Sequence, residues 1–297
     1  MSRWAEGGFV AVDWGSTARR AYLIDGDGRV VDQMEDDAGT LVTPRDRFPG
    51  EVAALRARFG SKPLLMAGMV GSNRGWQETP YVPCPASLDA LAQGLLWVEP
   101  GQVAIVPGLS LLDGDRSDVM RGEEVQVFGI AALEARTDAM ICHPGTHSKW
   151  IELAGGAVTG FRTVMTGELF ALLRGHSILA DLLAGKATAG PAFADGVERG
   201  MAGAVIGAEL FGVRAGVLLG RRDAADAPSL VSGLLIGSDL RAGLASIDAG
   251  RDILVVGRGS LTALYATAFT IRGHPCREID GATALVAGMN ALAATIA

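Results

Sequence analysis

Short apolar runs alternate with glycine-rich polar turns along most of the chain. Residues 9–12 are apolar and run into Asp13; after Trp14-Gly15-Ser16-Thr17-Ala18-Arg19-Arg20 a second apolar run occupies 21–24. Runs of this length bounded by turn residues predict strands. The first two form a β-hairpin with its turn at 13–17, and 29–34 reads as a third strand. Residues 49–59 have helical spacing, with Val52, Leu55 and Phe59 on one face. Residues 64–69 predict a buried strand that enters the loop Gly68-Met69-Val70-Gly71-Ser72-Asn73-Arg74-Gly75-Trp76. A strand at 103–106 and a helix at 123–133 follow. Strands at 139–142 and 150–153 flank a second polar turn, and 167 to about 220 is mostly helical. Residues 253–256 predict a strand opening through Gly257-Arg258-Gly259-Ser260 into a helix at 261–271. A last strand at 276–279 and a small-residue helix at 282–296 close the pattern.

Length changes this picture first. At 297 residues the chain is long for one core, so two domains are expected, 1–118 and 119–297, with the last helix able to pack back toward the first. The polar stretch Asp113-Gly114-Asp115-Arg116-Ser117-Asp118 reads as a mobile junction near the boundary. A net charge of −7 offers no basic excess to displace counterions, which opposes nucleic acid as a partner. Cys84, Cys142 and Cys276 are few and far apart, suggesting neither a disulfide framework nor a metal site. The first residues lack a signal-peptide core and no apolar run reaches membrane-spanning length, so a cytoplasmic protein is expected. The 41 glycines mark turns and close backbone approaches.

Four segments carry chemistry. The turn Asp13-Trp14-Gly15-Ser16-Thr17 can offer N–H groups and hydroxyls to phosphate oxygens, while Asp13 can hold a cation through water. An ordinary polar hairpin turn is the plainer alternative. The second turn, Pro144-Gly145-Thr146-His147-Ser148-Lys149, repeats the formula and adds a lysine that can meet phosphate charge. His143 and His147 have a helical metal spacing, but Pro144 and Gly145 oppose a helix there. At Gly257, Gly259 and Ser260 a strand opens onto a helix N-terminus and can admit an adenosine closely, although a plain strand-to-helix turn has the same form. Finally, Glu123 and Glu124 open a helix between the two turns. They are either dipole-stabilising acids or a general base for a hydroxyl attacking a phosphoryl group.

These segments, in this order, resemble the sugar kinases of the actin/hexokinase/heat-shock-protein ATPase superfamily. The resemblance is closer to the 2-dehydro-3-deoxygalactonokinase family. It is carried by Val12-Asp13-Trp14-Gly15-Ser16-Thr17, Met66-Ala67-Gly68-Met69-Val70-Gly71-Ser72-Asn73, Val119-Met120-Arg121-Gly122-Glu123-Glu124, Pro144-Gly145-Thr146-His147, Phe161-Arg162-Thr163-Val164-Met165-Thr166-Gly167-Glu168-Leu169 and Ser232-Gly233-Leu234-Leu235-Ile236-Gly237. It implies a two-domain, actin-like (ribonuclease H-like) α/β fold, with mixed sheets flanked by helices around a central cleft. The implied activity is ATP- and Mg²⁺-dependent phosphorylation of 2-dehydro-3-deoxy-D-galactonate at its C6 hydroxyl. A kinase of another sugar acid and a nucleotide-binding regulator of the same fold are the alternatives. Asp13 and one of the two glutamates are the expected catalytic residues, Glu123 ahead of Glu124 and Glu168 next in order. In the wider kinase pattern an Asp stands at this helix start, so the glutamates depart from it. Gly15, Ser16, Thr17, Gly145, Thr146, His147, Lys149, Gly257, Gly259 and Ser260 are the expected ATP contacts. Ser72, Asn73, Arg74, Trp76, Arg121 and Arg162 are the expected substrate contacts, an arginine being suited to the carboxylate of a sugar acid. A homodimer stands among the assemblies left open.

Overall fold

The hairpin at the start of the chain forms as its pattern predicts. β1 (Phe9–Trp14) and β2 (Arg19–Ile24) are antiparallel, with Asp13 opposite Arg20. The computed structural model describes residues 3–245 and 252–296. β1 also pairs in parallel with β4 (Leu64–Gly68), and β4 with β8 (Val103–Ile105). β3 (Val30–Asp36) and β7 (Leu96–Glu99) complete a sheet of order β3-β2-β1-β4-β8-β7. Every residue of β4 is buried, the continuous apolar reading of a strand covered on both faces. α1 (Phe48–Phe59) lays Phe48, Val52, Leu55 and Phe59 against Val10, Val12 and Met66 of this sheet.

Polarity misled the reading of residues 113–118. They belong to a hairpin of β9 (Gly108–Asp113) and β10 (Arg116–Met120), in a small sheet with β5 (Tyr81–Pro83). Leu111 pairs with Asp118 and Asp113 with Arg116. An antiparallel hairpin with one solvated face tolerates polar residues at alternate positions, and β10 is exposed at Ser117 and Val119.

α2 (Leu88–Gln93) follows β6 (Ala86–Ser87), its N-terminus capped by the Ser87 hydroxyl, which accepts from the Ala90 N–H. α3 (Glu123–Glu134) opens at Gly122, whose φ of 108° suits glycine. It packs on the C-terminal helix, Gly281–Thr295, with backbone against backbone. A Cβ at Gly129 would strike the Ala284 carbonyl, and one at Gly288 the Val125 carbonyl.

The third sheet contains β11 (Ala139–His143), β12 (Ser148–Ala154), β13 (Ala157–Val164), β14 (Ile253–Gly257) and β15 (Cys276–Asp280), in the order β15-β14-β11-β12-β13-β6. β14 runs parallel to both β11 and β15. Its helices are α4 (Thr166–His176), α5 (Pro191–Met201), α6 (Ile206–Leu218), α7 (Ala227–Leu244) and α8 (Gly259–Ile271); the C-terminal helix is α9. α7, absent from the sequence reading, is buried on nearly every side. Such a helix shows no amphipathic stripe by which to recognise it.

By compactness the chain forms two units. Met1–Asp138, Glu152–Phe161 and Gly281–Ala297 make the first; Ala139–Ile151 and Arg162–Asp280 make the second. Residue 118 lies within β10, and both α3 and α9 belong to the first unit.

Candidate active site

In the first unit the chemistry gathers where β1 and β4 end. Parallel strands present their carboxyl ends together, the usual place for ligands in an α/β sheet. Asp13 stands there, half-buried, with Arg20 3.4 Å away. Burial pushes its carboxyl above the usual range; Arg20 pulls it back, and the charges of Glu123 and Glu35 push the same way as burial. The start of α3 reaches this point through two glycines. A Cβ at Gly122 would lie 3.2 Å from the Gly68 Cα, and a Cβ at Gly68 would lie 3.5 Å from Asp13 Oδ1. Both glycines also hold a left-handed φ, 92° at Gly68 and 108° at Gly122, which favours glycine at the two positions where α3 comes beside Asp13.

The two glutamates differ sharply in environment. Glu124 is fully buried and both its oxygens accept the Gly122 N–H, each at 2.8 Å. Burial pushes its carboxyl up to about 8, with the Glu123 charge adding to the shift. Glu123 is half-buried; its Oε2 accepts the Arg121 N–H at 3.1 Å. Next to them, Arg121 is held by Thr79, donating to its hydroxyl and, at 2.9 Å, to its carbonyl. Its guanidinium lies 4.4 Å over the Tyr81 ring, and its Nε is buried without a partner.

The turn after Asp13 is fixed from behind. The carbonyls of Gly15 and Ser16 accept from the N–H groups of Thr40 and Leu41, both at 3.0 Å, while Thr17 is exposed. In the other loop, Ser72 is buried and its hydroxyl donates to the Met69 carbonyl at 2.8 Å, closing the turn that leaves Asn73 and Arg74 exposed. Trp76 stacks on Phe48, with ring planes 7° apart, and joins the core of this unit. Arg45 went unnoticed in the sequence. It donates to the carbonyls of Gly75 and Asn73 and so pins the loop, yet it lies about thirty residues away with no local signal.

In the second unit the turn 144–147 joins β11 to β12, with Thr146 and His147 exposed. Lys149 is 5% exposed and donates to the Thr163 hydroxyl at 2.7 Å. α4 begins against this turn: the Glu168 N–H donates to the Thr146 carbonyl at 2.9 Å, and His147 Nε2 meets Glu168 Oε2 at 2.5 Å. Beneath it lies a buried polar cluster that sequence reasoning missed entirely. Asp239 accepts from Trp150 Nε1 at 2.7 Å, from the Thr166 hydroxyl at 2.6 Å and from the Tyr265 hydroxyl, which also meets Ser148 Oγ at 2.7 Å. Burial pushes the Asp239 carboxyl up, against the pull of these donors.

A cavity of about 430 Å³ opens between α4, α7 and α8 of the same unit, within the range of small-ligand pockets. Thr166, Phe170, Ser232, Leu235, Ser260 and Leu264 line it, with Lys186 at its edge. Ser260 belongs to the predicted adenosine turn. Gly257 ends β14, where a Cβ would crowd the Thr262 hydroxyl, and a Cβ at the exposed Gly259 would meet open space. The structure thus groups Asp13, Glu123 and Arg121 in the first unit. It groups Thr166, Ser260 and the 144–149 turn in the second, to which Arg162, exposed on β13, also belongs.

The family model for 2-keto-3-deoxy-galactonokinase matches residues 13–292. A 2-dehydro-3-deoxygalactonokinase of Rhizobium meliloti (strain 1021) is 38% identical over 301 residues, covering 98% of either chain. That of Escherichia coli (strain K12) is 36% identical, covering 97% of this chain and 98% of its own. A crystal structure described as a 2-dehydro-3-deoxygalactonokinase protein from Sinorhizobium meliloti superposes with a TM-score of 0.89 at 37% identity, covering 97% and 99%. The activator of 2-hydroxyisocaproyl-CoA dehydratase from Clostridium difficile shares the fold alone, with a TM-score of 0.53 at 10% identity over 97% and 95% of the two chains. The expected α/β class, with mixed sheets flanked by helices in a sugar-kinase fold, is borne out. With a match that spans nearly every residue from Asp13 onward, the chain belongs to the 2-keto-3-deoxy-galactonokinase family.

Proposed function

We propose that this chain transfers the terminal phosphoryl group of ATP to the C6 hydroxyl of 2-dehydro-3-deoxy-D-galactonate. The observation that carries the reading is the pairing of Asp13 with the start of α3 at the carboxyl ends of β1 and β4, in a member of this kinase family. The first unit supplies the acceptor chemistry. Glu123, half-buried with its Oε2 accepting the Arg121 N–H where Glu124 is fully enclosed, takes the proton of the substrate hydroxyl. The hydroxyl oxygen bonds to the γ-phosphorus as the bond to the bridging oxygen breaks, and ADP leaves with that electron pair. Arg74, exposed in the pinned loop, and the orphaned Nε of Arg121 support the recognition of the substrate carboxylate.

The second unit supplies the nucleotide site. The cavity bordered by Ser260 takes the adenosine, and the Gly145-Thr146-His147 turn takes the phosphates. Among the described residues no cluster of three or more His, Cys, Asp or Glu is placed to hold a metal. A single hard carboxylate at Asp13 nonetheless fits a Mg²⁺ ion bound mainly by water and nucleotide phosphates. When bound, that ion neutralises charge on the transferring group. A cytoplasmic location belongs to the same proposal: the three cysteines are unpaired and no helix among the described residues is long and apolar enough to cross a membrane.

The test is a coupled assay of ADP release against a panel of acids: 2-dehydro-3-deoxygalactonate, its 2-dehydro-3-deoxygluconate epimer and a sugar lacking the carboxylate. Turnover restricted to the first supports the reading. Equal or better turnover with another panel member assigns the chain a different acceptor.

A further inference from the structure

Asp239 takes no part in the chemistry above, yet it is fully buried and its carboxylate is the meeting point of four elements. Trp150 comes from β12, Thr166 is the first residue of α4, Tyr265 lies on α8, and Asp239 itself lies on α7. Removing a carboxylate from water is costly, and well-packed apolar groups would stabilise a core at least as well. Such a group contributes geometry instead. Hydrogen bonds are directional where apolar contact is not.

The geometry fixed here leads to one place by two routes. Tyr265 passes from Asp239 to Ser148, the residue after His147 in the 144–149 turn. Thr166 passes from Asp239 to the start of α4, whose Glu168 N–H holds the Thr146 carbonyl. Thr146 and His147 are exposed at the tip of that turn, and its backbone rests on the start of α4, where a Cβ at Gly167 would lie 2.4 Å from the Gly145 carbonyl oxygen. The three helices tied to Asp239 are also the three that line the 430 Å³ cavity. We infer that Asp239 is a positioning residue for the nucleotide, holding the Gly145-Thr146-His147 turn and the walls of the cavity in a single arrangement through Tyr265 and Thr166. This rests on the reading of the second unit as the nucleotide site.

Four variants of the full chain test it: Asp239→Asn, Tyr265→Phe, Thr166→Val and Thr166→Ser, with Ser232→Leu as a cavity-filling control. KM for ATP, KM for the sugar acid, kcat and Tm are measured for each. Loss of a hydrogen bond in the cluster is expected to raise KM for ATP about tenfold in Asp239→Asn, Tyr265→Phe and Thr166→Val. KM for the acid should change less than about twofold, and Thr166→Ser, which keeps the hydroxyl, should stay near wild type. A purely structural cluster gives the opposite split: Tm falls and KM for ATP is unchanged. That result, with Ser232→Leu still raising KM for ATP, overturns the positioning role and leaves the nucleotide site standing. If no variant, Ser232→Leu included, alters nucleotide affinity, the nucleotide reading of the second unit falls and the positioning role falls with it. Should Asp239→Asn fail to fold, Tyr265→Phe and the Thr166 pair decide the matter, since each changes the cluster by one hydroxyl or one methyl.

Discussion

Glu123 and Glu124 are neighbours in sequence and opposites in environment, and each difference is measurable. Glu123 is half-buried beside Asp13, so Glu123→Gln is expected to lower kcat by roughly two to four orders of magnitude with little change in Tm or in KM for ATP. A kcat within a few-fold of wild type would move the base elsewhere. Glu124 is a stability group. Its carboxyl titrates near 8 in the folded chain, above the ordinary 4.5 it regains on unfolding. The folded state therefore favours the protonated form. That contribution is complete below about pH 4.5 and is lost as pH rises toward about 8, where it levels off. Glu124→Gln should flatten this part of the profile, so that urea midpoints of variant and wild type diverge from pH 5 to pH 8. Parallel curves would show that Glu124 is not the group responsible. Asp13 and Glu123 were legible in the sequence because each sits where an apolar run meets glycine. Asp239 was not, since it lies in an apolar helix and its partners are 26 to 89 residues away.

Between residues and the whole molecule, the helices divide the glycines into two populations. Gly196 and Gly200 of α5 face Gly233 and Gly237 of α7, and a Cβ at any of the four would strike a carbonyl of the facing helix. At Gly212 on α6 a Cβ would meet nothing within 4 Å. Gly233→Val should therefore force the pair apart and destabilise by about 1–3 kcal/mol. Gly212→Ala should stabilise by roughly 0.5–1 kcal/mol through the lower entropy of its unfolded chain. Denaturant melts check both; equal effects of the same sign would refute the division. The abundance of glycine was visible in the sequence, but this use of it was not, because a helix–helix seam depends on which elements meet. The strands at 9–12, 21–24 and 253–256 were legible because their apolar runs end at turn residues. α7 and the β9–β10 hairpin were hidden for contrary reasons: one is buried on nearly every side and shows no stripe, the other sets Arg116 and Asp118 between the exposed Ser117 and Val119, so that its polar run reads as a loop.

For the molecule as a whole, the candidate residues fall into two compact units. Asp13, Glu123 and Arg121 lie in the first; Thr166, Ser232, Ser260 and the 144–149 turn lie in the second. If one unit handles the acceptor and the other the nucleotide, substitutions should affect different kinetic constants according to where they fall. Asp13→Asn removes a charge but leaves Arg20 paired with Glu35 at 2.9 Å, so the hairpin should stay folded. Its kcat should drop by at least about a hundredfold while KM for ATP stays within a few-fold, because an interaction made mainly in the transition state has been removed. Ser232→Leu fills part of the cavity between α4, α7 and α8. It should raise KM for ATP with kcat nearly preserved at saturation, the mark of lost ground-state binding. The double variant should show both effects multiplied, since residues without shared partners combine additively in free energy. Saturating steady-state kinetics with ATP and the acid varied in turn decide it. If Asp13→Asn instead raised KM for ATP at unchanged kcat, Asp13 would be a nucleotide-binding group and the division of labour between the units would be wrong.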